Sequence, residues 1–453
     1  MIESQRDTGV PATVARGSAT ALPWPDGTVA AVVTDPPYYD NVPYADISDF
    51  FYVWLKRTIG DLYPEHFATE GTPKKQEAVA DAVRHGGSKE KARAAYEQMM
   101  AQSFAEANRV LKPGGSMVVV YAHKTTHGWS TLVDALRQAG FIVTEAWPLD
   151  TERPGRLREH ASAALASSIF LVARTRERNE IGSYEDEVQP ELEKIVRERV
   201  DSLWQMGITG ADLVIASVGA GLRAFTKYER VEYANGEEVP AEKFLDEVER
   251  CVLETLLEKI FGLSGGSVAA VDGPSRFYVL WRYTYKAAVV EAGEAIVFTY
   301  GQGVELDGAN GLTSWKPVPL VEKKKGKYRL RDFTERGENE KLGLPEEDGQ
   351  SAPLIDVLHR VLWLLENSPR KLGEFLEAAR PDRERLRVLA QALGGPALSG
   401  KREEEVQKLI STTGPEQAAL QKLLANWRSL IELAGVARSE LEDKQRGQAR
   451  LFE

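Results

Sequence analysis

The chain has one cysteine, Cys251, in 453 residues. That excludes an internal disulfide framework, and it excludes a zinc ribbon built from this chain's cysteines alone. Long apolar runs are missing too: no stretch approaches the roughly 18 residues that a membrane-spanning helix needs, and Met1 to Arg16 offers no hydrophobic segment suited to export. An excess of positive charge is also absent. Lys and Arg number 57 against 68 Asp and Glu, a formal net charge of −11, which argues against a protein that coats nucleic acid by bulk electrostatics. No internal repeat is evident and no metal site is expected. What remains is a chain of 43% hydrophobic residues, long enough for two or three domains with their own cores, with the cytoplasm as its expected location and no membrane among its expected partners.

The stretch with the most chemistry is Val32-Val33-Thr34-Asp35-Pro36-Pro37-Tyr38. An exocyclic amine on a base is a poor nucleophile, because its lone pair is delocalised into the ring. A carboxylate at Asp35 and the carbonyl of Pro36 can both accept its N–H bonds and aim the lone pair at a methyl donor. Pro36 has no N–H of its own to compete, and Pro37 restricts the residue before it to extended geometry. Tyr38 supplies a flat surface on which an extruded base can stack. The plain alternative is a strand that ends in a Pro-Pro turn with Asp as a turn residue.

The surroundings add context. Gly17 to Gly27 is rich in turn residues and feeds an apolar strand, Val29 to Thr34. A helix is expected from about Ile47 to Thr58, with Asp46 or Ser48 as N-cap. A second helix, Ser88 to Val110, ends at Leu111-Lys112-Pro113-Gly114-Gly115. A strand over Ser116 to Tyr121, a helix around Ser130 to Ala139, and strands at Phe141 to Trp147 and Ser167 to Ala173 complete the pattern. This alternation is that of an α/β doubly wound sheet, in which ligands sit at the carboxyl ends of strands. Asp35 is at one such end. His123 and Lys124 follow the strand after the Gly-Gly pair, so they are expected at the same edge.

Asp35-Pro36-Pro37-Tyr38 after an apolar strand resembles the tetrapeptide of S-adenosylmethionine-dependent amino-methyltransferases. Arg109 to Gly115 resembles the connection before the fifth strand of class I methyltransferases. Tyr38-Tyr39-Asp40-Asn41-Val42-Pro43-Tyr44 followed by Ser48 to Trp54 sharpens the likeness to the prokaryotic adenine-specific DNA methylases that contain a zinc ribbon and an N-terminal domain of unknown function. Gly219 to Leu222 with Lys227-Tyr228, Ser275 to Tyr278 with Trp281-Arg282, and Pro353 to Asp356 with His359-Arg360 extend it over most of the chain. The resemblance implies S-adenosylmethionine as cofactor and methyl transfer to adenine N6 of DNA. It implies catalytic roles for Asp35, Pro36, Pro37 and Tyr38, a base pocket drawn from Tyr39, Asn41, Tyr44 and His123, and cofactor contact near Ser18 and Ala19. An RNA guanine or a protein amide is the competing substrate class.

One departure stands out. Such enzymes hold the cofactor's methionine end on a glycine-rich turn after their first strand, and no such turn lies upstream of Gly17. The chain therefore reads as the C-terminal half of a family member, with a separate chain as the expected source of the other half. A circularly permuted arrangement would have to use Val214 to Gly221, an apolar run that ends in Gly-x-Gly. A non-catalytic DNA- or protein-binding subunit or remnant is the alternative.

The expected fold is a partial class I methyltransferase, Rossmann-like sheet followed by a mainly α-helical region with a small β-hairpin. The expected division is 1–175 for the catalytic half-domain, 176–340 for a mixed helical domain, and 341–453 for a C-terminal helical region. Arg174 to Glu187 reads as a linker, and Leu192 to Trp204 and Ala241 to Ile260 read as amphipathic helices. Arg276 to Tyr285 reads as aromatic core. A hairpin centred on Gly326 carries Lys323, Lys324, Lys325, Lys327 and Arg329. With Lys124, these are the candidate DNA-phosphate contacts, although lysines also serve simply to keep an exposed hairpin soluble.

Overall fold

The computed structural model of the chain describes residues 12–37, 43–121, 126–149, 168–263, 266–345, 350–395, 412 and 414–432. The first half contains β1 (Val29–Thr34), α1 (Tyr44–Ile59), α2 (Lys89–Val110), β2 (Leu111–Tyr121), α3 (Thr126–Gln138), β3 (Phe141–Leu149), β4 (Ser168–Thr175) and β5 (Ile181–Ser183). Then come α4 (Gln189–Gln205), α5 (Gly210–Thr226), β6 (Arg230–Glu232), α6 (Ala241–Leu263), α7 (Gly273–Tyr285), β7 (Val290–Glu291) and α8 (Ala292–Val297). The hairpin β8 (Val321–Lys324) and β9 (Lys327–Leu330) is followed by α9 (Phe333–Arg336), α10 (Leu354–Asn367), α11 (Leu372–Ala379), α12 (Arg383–Gly394) and α13 (Gly414–Ala425). This is an α/β fold, with a partial Rossmann-like sheet and then a largely helical region.

The sheet has four strands in the order β1-β2-β4-β3. β1 and β2 are parallel, and β4 runs antiparallel to both β2 and β3. Register follows the pleat. Met117, Val119 and Tyr121 pair with Ala173, Leu171 and Ile169, and all six are fully buried on one face with Val143 and Ala146 of β3. Val118, Val120, Phe170 and Val172 alternate with them and are only half-buried on the other face. β1 lies at the edge, and its six residues are all half-buried or exposed.

Helix α2 starts at a serine cap: Ser88 Oγ accepts the Lys91 N–H at 3.2 Å, as N-cap side chains do. Its buried positions Ala92, Tyr96, Met100, Phe104, Ala107 and Val110 recur at helical spacing. Helix α1 begins earlier than expected. Its N-cap is Pro43, with no side-chain cap bond, and neither Asp46 nor Ser48 fills that role. Asp46 instead pairs with Arg84 at 2.6 Å, so a long-range ion pair takes the carboxylate that local capping would use.

The segment expected to be a linker is built into the structure. β4 continues to Thr175, the Arg176 guanidinium donates to the carbonyls of Arg137 and Tyr228, each at 3.2 Å, and Ile181–Ser183 pairs with Arg230–Glu232. Charged residues misled the reading because each anchors a backbone carbonyl or a short strand.

Val214 to Gly221 lies inside α5 and forms no strand-to-turn junction. A Cβ on Gly219 would sit 2.6 Å from Ala146 Cβ, and one on Gly221 2.7 Å from Val248 Cγ1. These glycines let α5 approach β3 on one side and α6 on the other, so their role is close packing. Among the described residues no helix is long and apolar enough to cross a membrane.

Candidate active site

Asp35, Pro36 and Pro37 leave the carboxyl end of β1 and open onto a cleft of about 670 Å³. Asp35 is exposed, Pro36 buried and Pro37 half-buried. Val32 and Met117 floor the cleft, Met100, Phe104 and Ala107 of α2 form one wall, and Ser18, Ala19, Thr20 and Leu22 form another. Tyr44 of α1 and Gln76, Glu77 and Ala78 close the rim. The structure therefore brings together Ser18, Ala19, Asp35, Pro36, Pro37 and Tyr44 from the sequence reading. Tyr38, Tyr39, Asn41, His123 and Lys124 lie outside the described residues.

Two sets of contacts set this geometry, and neither was evident from motifs. The Tyr96 hydroxyl donates to the Pro37 carbonyl at 2.8 Å, and its ring is buried in α2. A tyrosine within an apolar helical stripe must find a partner for its hydroxyl when buried, and that was the available signal. The second set holds the 18–27 segment. Glu106 Oε2 accepts the Leu22 N–H at 2.9 Å. Arg109 donates to the Leu22 and Trp24 carbonyls at 3.1 and 2.9 Å and pairs with Asp26 at 2.6 Å. The Gly27 N–H reaches the Arg109 carbonyl at 3.0 Å. The Arg109 guanidinium, helped by the Leu22 N–H, holds the Glu106 carboxyl down at about 2, so this strap carries a charged anchor across the neutral range.

Glu77 faces the cleft but is already engaged: it pairs with Arg84 at 2.6 Å and accepts the Ala45 N–H at 2.9 Å. Its role at the rim is to fix the start of α1. No glycine lines the cleft among the described residues.

Replacing Tyr96 with phenylalanine is expected to cost about 0.5–1.5 kcal/mol, the usual net worth of one hydrogen bond. It should also loosen the Pro36–Pro37 backbone. Hydrogen exchange near Asp35, compared with the β2 amides, checks this; equal protection in the variant would show that the Tyr96 bond does not hold the turn.

The basic hairpin forms as expected, with Lys325 and Gly326 at positive φ in its turn. It contributes nothing to the cleft lining. Lys323 pairs with Asp307 at 2.8 Å, Lys327 with Glu291 at 3.1 Å, and Arg329 with Glu335 at 2.6 Å. Lys324 and Lys325 stand exposed at the tip.

No protein-family model matches the chain, and no curated protein matches it either. Among solved structures it is similar to TTHA0409 of Thermus thermophilus, by name a candidate DNA modification methylase. Identity is 16%, coverage is 52% of this chain and 93% of that one, and the TM-score is 0.20. A second structure of TTHA0409, complexed with S-adenosyl-L-methionine, aligns at 16% identity over 51% of this chain and 90% of that one, with a TM-score of 0.19. Superposition at that level carries no weight for function.

Proposed function

We propose that the chain is the catalytic half of a cytoplasmic S-adenosylmethionine-dependent methyltransferase that modifies adenine N6 in DNA. The observation that supports this most is Asp35-Pro36-Pro37 at the carboxyl end of a parallel strand, on the rim of a cleft large enough for a nucleoside-sized ligand. In this reading Asp35 and the Pro36 carbonyl accept the two N–H bonds of the target amine, and Tyr38 stacks on the base. Tyr39, Asn41, Tyr44 and His123 would contact the base, and Lys124 with the hairpin cations would contact phosphates. The catalytic half corresponds to residues 1–175, with 176–340 and 341–453 as the following units.

The residues present fit part of the cofactor. S-adenosylmethionine, when bound, supplies an electrophilic methyl group. The apolar wall of Leu22, Met100 and Phe104 suits a flat ring, with Ser18 and Ala19 beside it. Nothing in that lining offers the glycine turn that holds a methionine end, and Glu77 is tied to Arg84 and Ala45. The reading therefore includes a separate chain that brings the turn, pairing along β1. The same features favour a second reading, a non-catalytic DNA- or protein-binding remnant.

Calorimetric titration of the purified chain with S-adenosylmethionine tests this division. A half-site is expected to bind weakly or not at all alone. Micromolar binding would remove the need for a separate chain. Labelled-methyl transfer to DNA, RNA and protein in parallel identifies the substrate class, and transfer to RNA or protein alone would sink the adenine assignment.

A further inference from the structure

Helix α1 is amphipathic with its sides reversed. The half-buried positions Ala45, Asp49, Tyr52 and Lys56 form the seam that faces the rest of the chain. Asp49 accepts the Thr72 N–H and hydroxyl at 2.8 and 2.7 Å, the Thr72 hydroxyl also reaches the Ala45 carbonyl at 2.6 Å, and Tyr52 donates to the Thr69 carbonyl at 2.9 Å. The apolar side chains point outward: Phe50 is 67% exposed, Phe51 62%, Trp54 56% and Ile47 56%. No residue of the helix is buried. Apolar helix faces ordinarily turn to a core, and a contiguous exposed one marks an interaction site.

We propose that this face is a self-association surface, on which α1 of a second copy docks antiparallel across a two-fold axis. Three features favour a second copy. Tyr44, Ile47, Phe51 and Trp54 are spaced by three, four and three residues, the repeat by which one helix seam fits another of the same kind. A two-fold axis through the middle of Tyr44–Ile59 falls between Phe51 and Tyr52. It sets Asp46 of one copy, 46% exposed, beside Arg57 of the other, so the charged ends complement each other as an isologous contact requires. The area is also sufficient. Six side chains (Tyr44, Ile47, Phe50, Phe51, Trp54 and Leu55) each expose about half or more of their surface. With roughly 150–250 Å² per aromatic, this gives on the order of 600 Å² per copy, against about 800 Å² per partner in a standard interface. Leu62 and Tyr63, exposed just beyond the helix, extend the patch. A lipid surface fits less well, because an interfacial helix carries a lysine- and arginine-rich polar face, and here Asp49 and Lys56 share the inward seam. The proposal does not depend on the methyltransferase reading.

Sedimentation velocity of the full chain across the micromolar range tests it. The expected result is a dimer that Phe51→Arg converts to monomer, with an unchanged thermal melt because α1 buries no side chain. In a Cys251→Ser background, Phe51→Cys should cross-link to its own symmetry mate under oxidation, and Ile181→Cys, equally exposed but elsewhere, should not. A monomer at every concentration, a dimer that survives Phe51→Arg, or equal cross-linking at both positions would each overturn the proposal. So would wild-type chain that stays monomeric while binding phosphatidylglycerol vesicles.

Discussion

Asp35→Ala is expected to lower methyl transfer by at least roughly 10²–10³-fold, the order seen when one positioned group is lost from a reacting centre, while leaving the fold intact. The second half of that expectation follows from position. Asp35 is exposed at the end of an edge strand, so its truncation opens no cavity and strands no buried partner. The first half follows from chemistry. An amine conjugated to a ring gains nucleophilicity only when its N–H bonds are held out of the ring plane, and removing one of two acceptors leaves the lone pair delocalised. Asp35→Asn keeps one carbonyl oxygen as acceptor and should retain more activity than alanine. The measurement is incorporation of labelled methyl into unmethylated DNA, in whatever preparation the wild-type chain is active, with a thermal melt as the folding control. Undiminished transfer by Asp35→Ala would sink the assigned mechanism.

Much of this arrangement was legible in the sequence where one local signal dominated. An apolar run before Pro-Pro gave β1, and Ser88 ahead of a periodic apolar stripe gave the start of α2. The alternation from Ser116 to Ala173 gave three strands with the helix between them, shifted by only a few residues at the ends. The stripe Leu245, Val248, Val252, Leu253 and Leu256 is fully buried in α6. What was not legible depended on distant partners. The start of α1 is set by a proline and by Glu77, more than thirty residues away, and no local capping rule anticipates that. Gly-x-Gly at Gly219 and Gly221 resembles a cofactor turn because small residues serve both close helix packing and tight turns; only the neighbours Ala146 and Val248 tell them apart. At the site, Asp35 was found by its motif, whereas Tyr96, Glu106 and Arg109 were missed. They act on backbone carbonyls and amides, and such contacts leave no residue pattern at the receiving end.

Asp356→Ala is expected to destabilise the chain by about 3–5 kcal/mol, the cost of breaking a buried ion pair from one side. Arg336 and Asp356 meet at 2.6 Å with side chains 0% and 3% exposed. The Trp315 indole N–H donates to the other Asp356 oxygen at 3.1 Å. Arg336 also reaches His359 Nδ1 at 2.9 Å. A guanidinium can only donate, so Nδ1 is the acceptor and the ring is neutral with its proton on Nε2. Burial, reinforced by Arg336 and Arg282, holds the His359 pKa well below its ordinary value. The unfolded chain therefore takes up a proton there below about pH 6.5 that the folded chain refuses, and stability falls with pH through that window. On the far side of the ring Tyr278 donates to Glu416 at 2.5 Å, and Arg282 pairs with Glu416 at 3.1 Å. This one cluster ties α7, α9, α10 and α13, which explains why Tyr278, Arg282, Asp356 and His359 recur in the segments of the sequence that resemble a methylase family. The pair can be separated from its parts. Arg336→Met with Asp356→Leu replaces both charges by apolar volume and should recover most of the loss, as read by urea denaturation. If the single variant costs under about 1 kcal/mol, the level of an exposed pair, the cluster is not what locks these helices together.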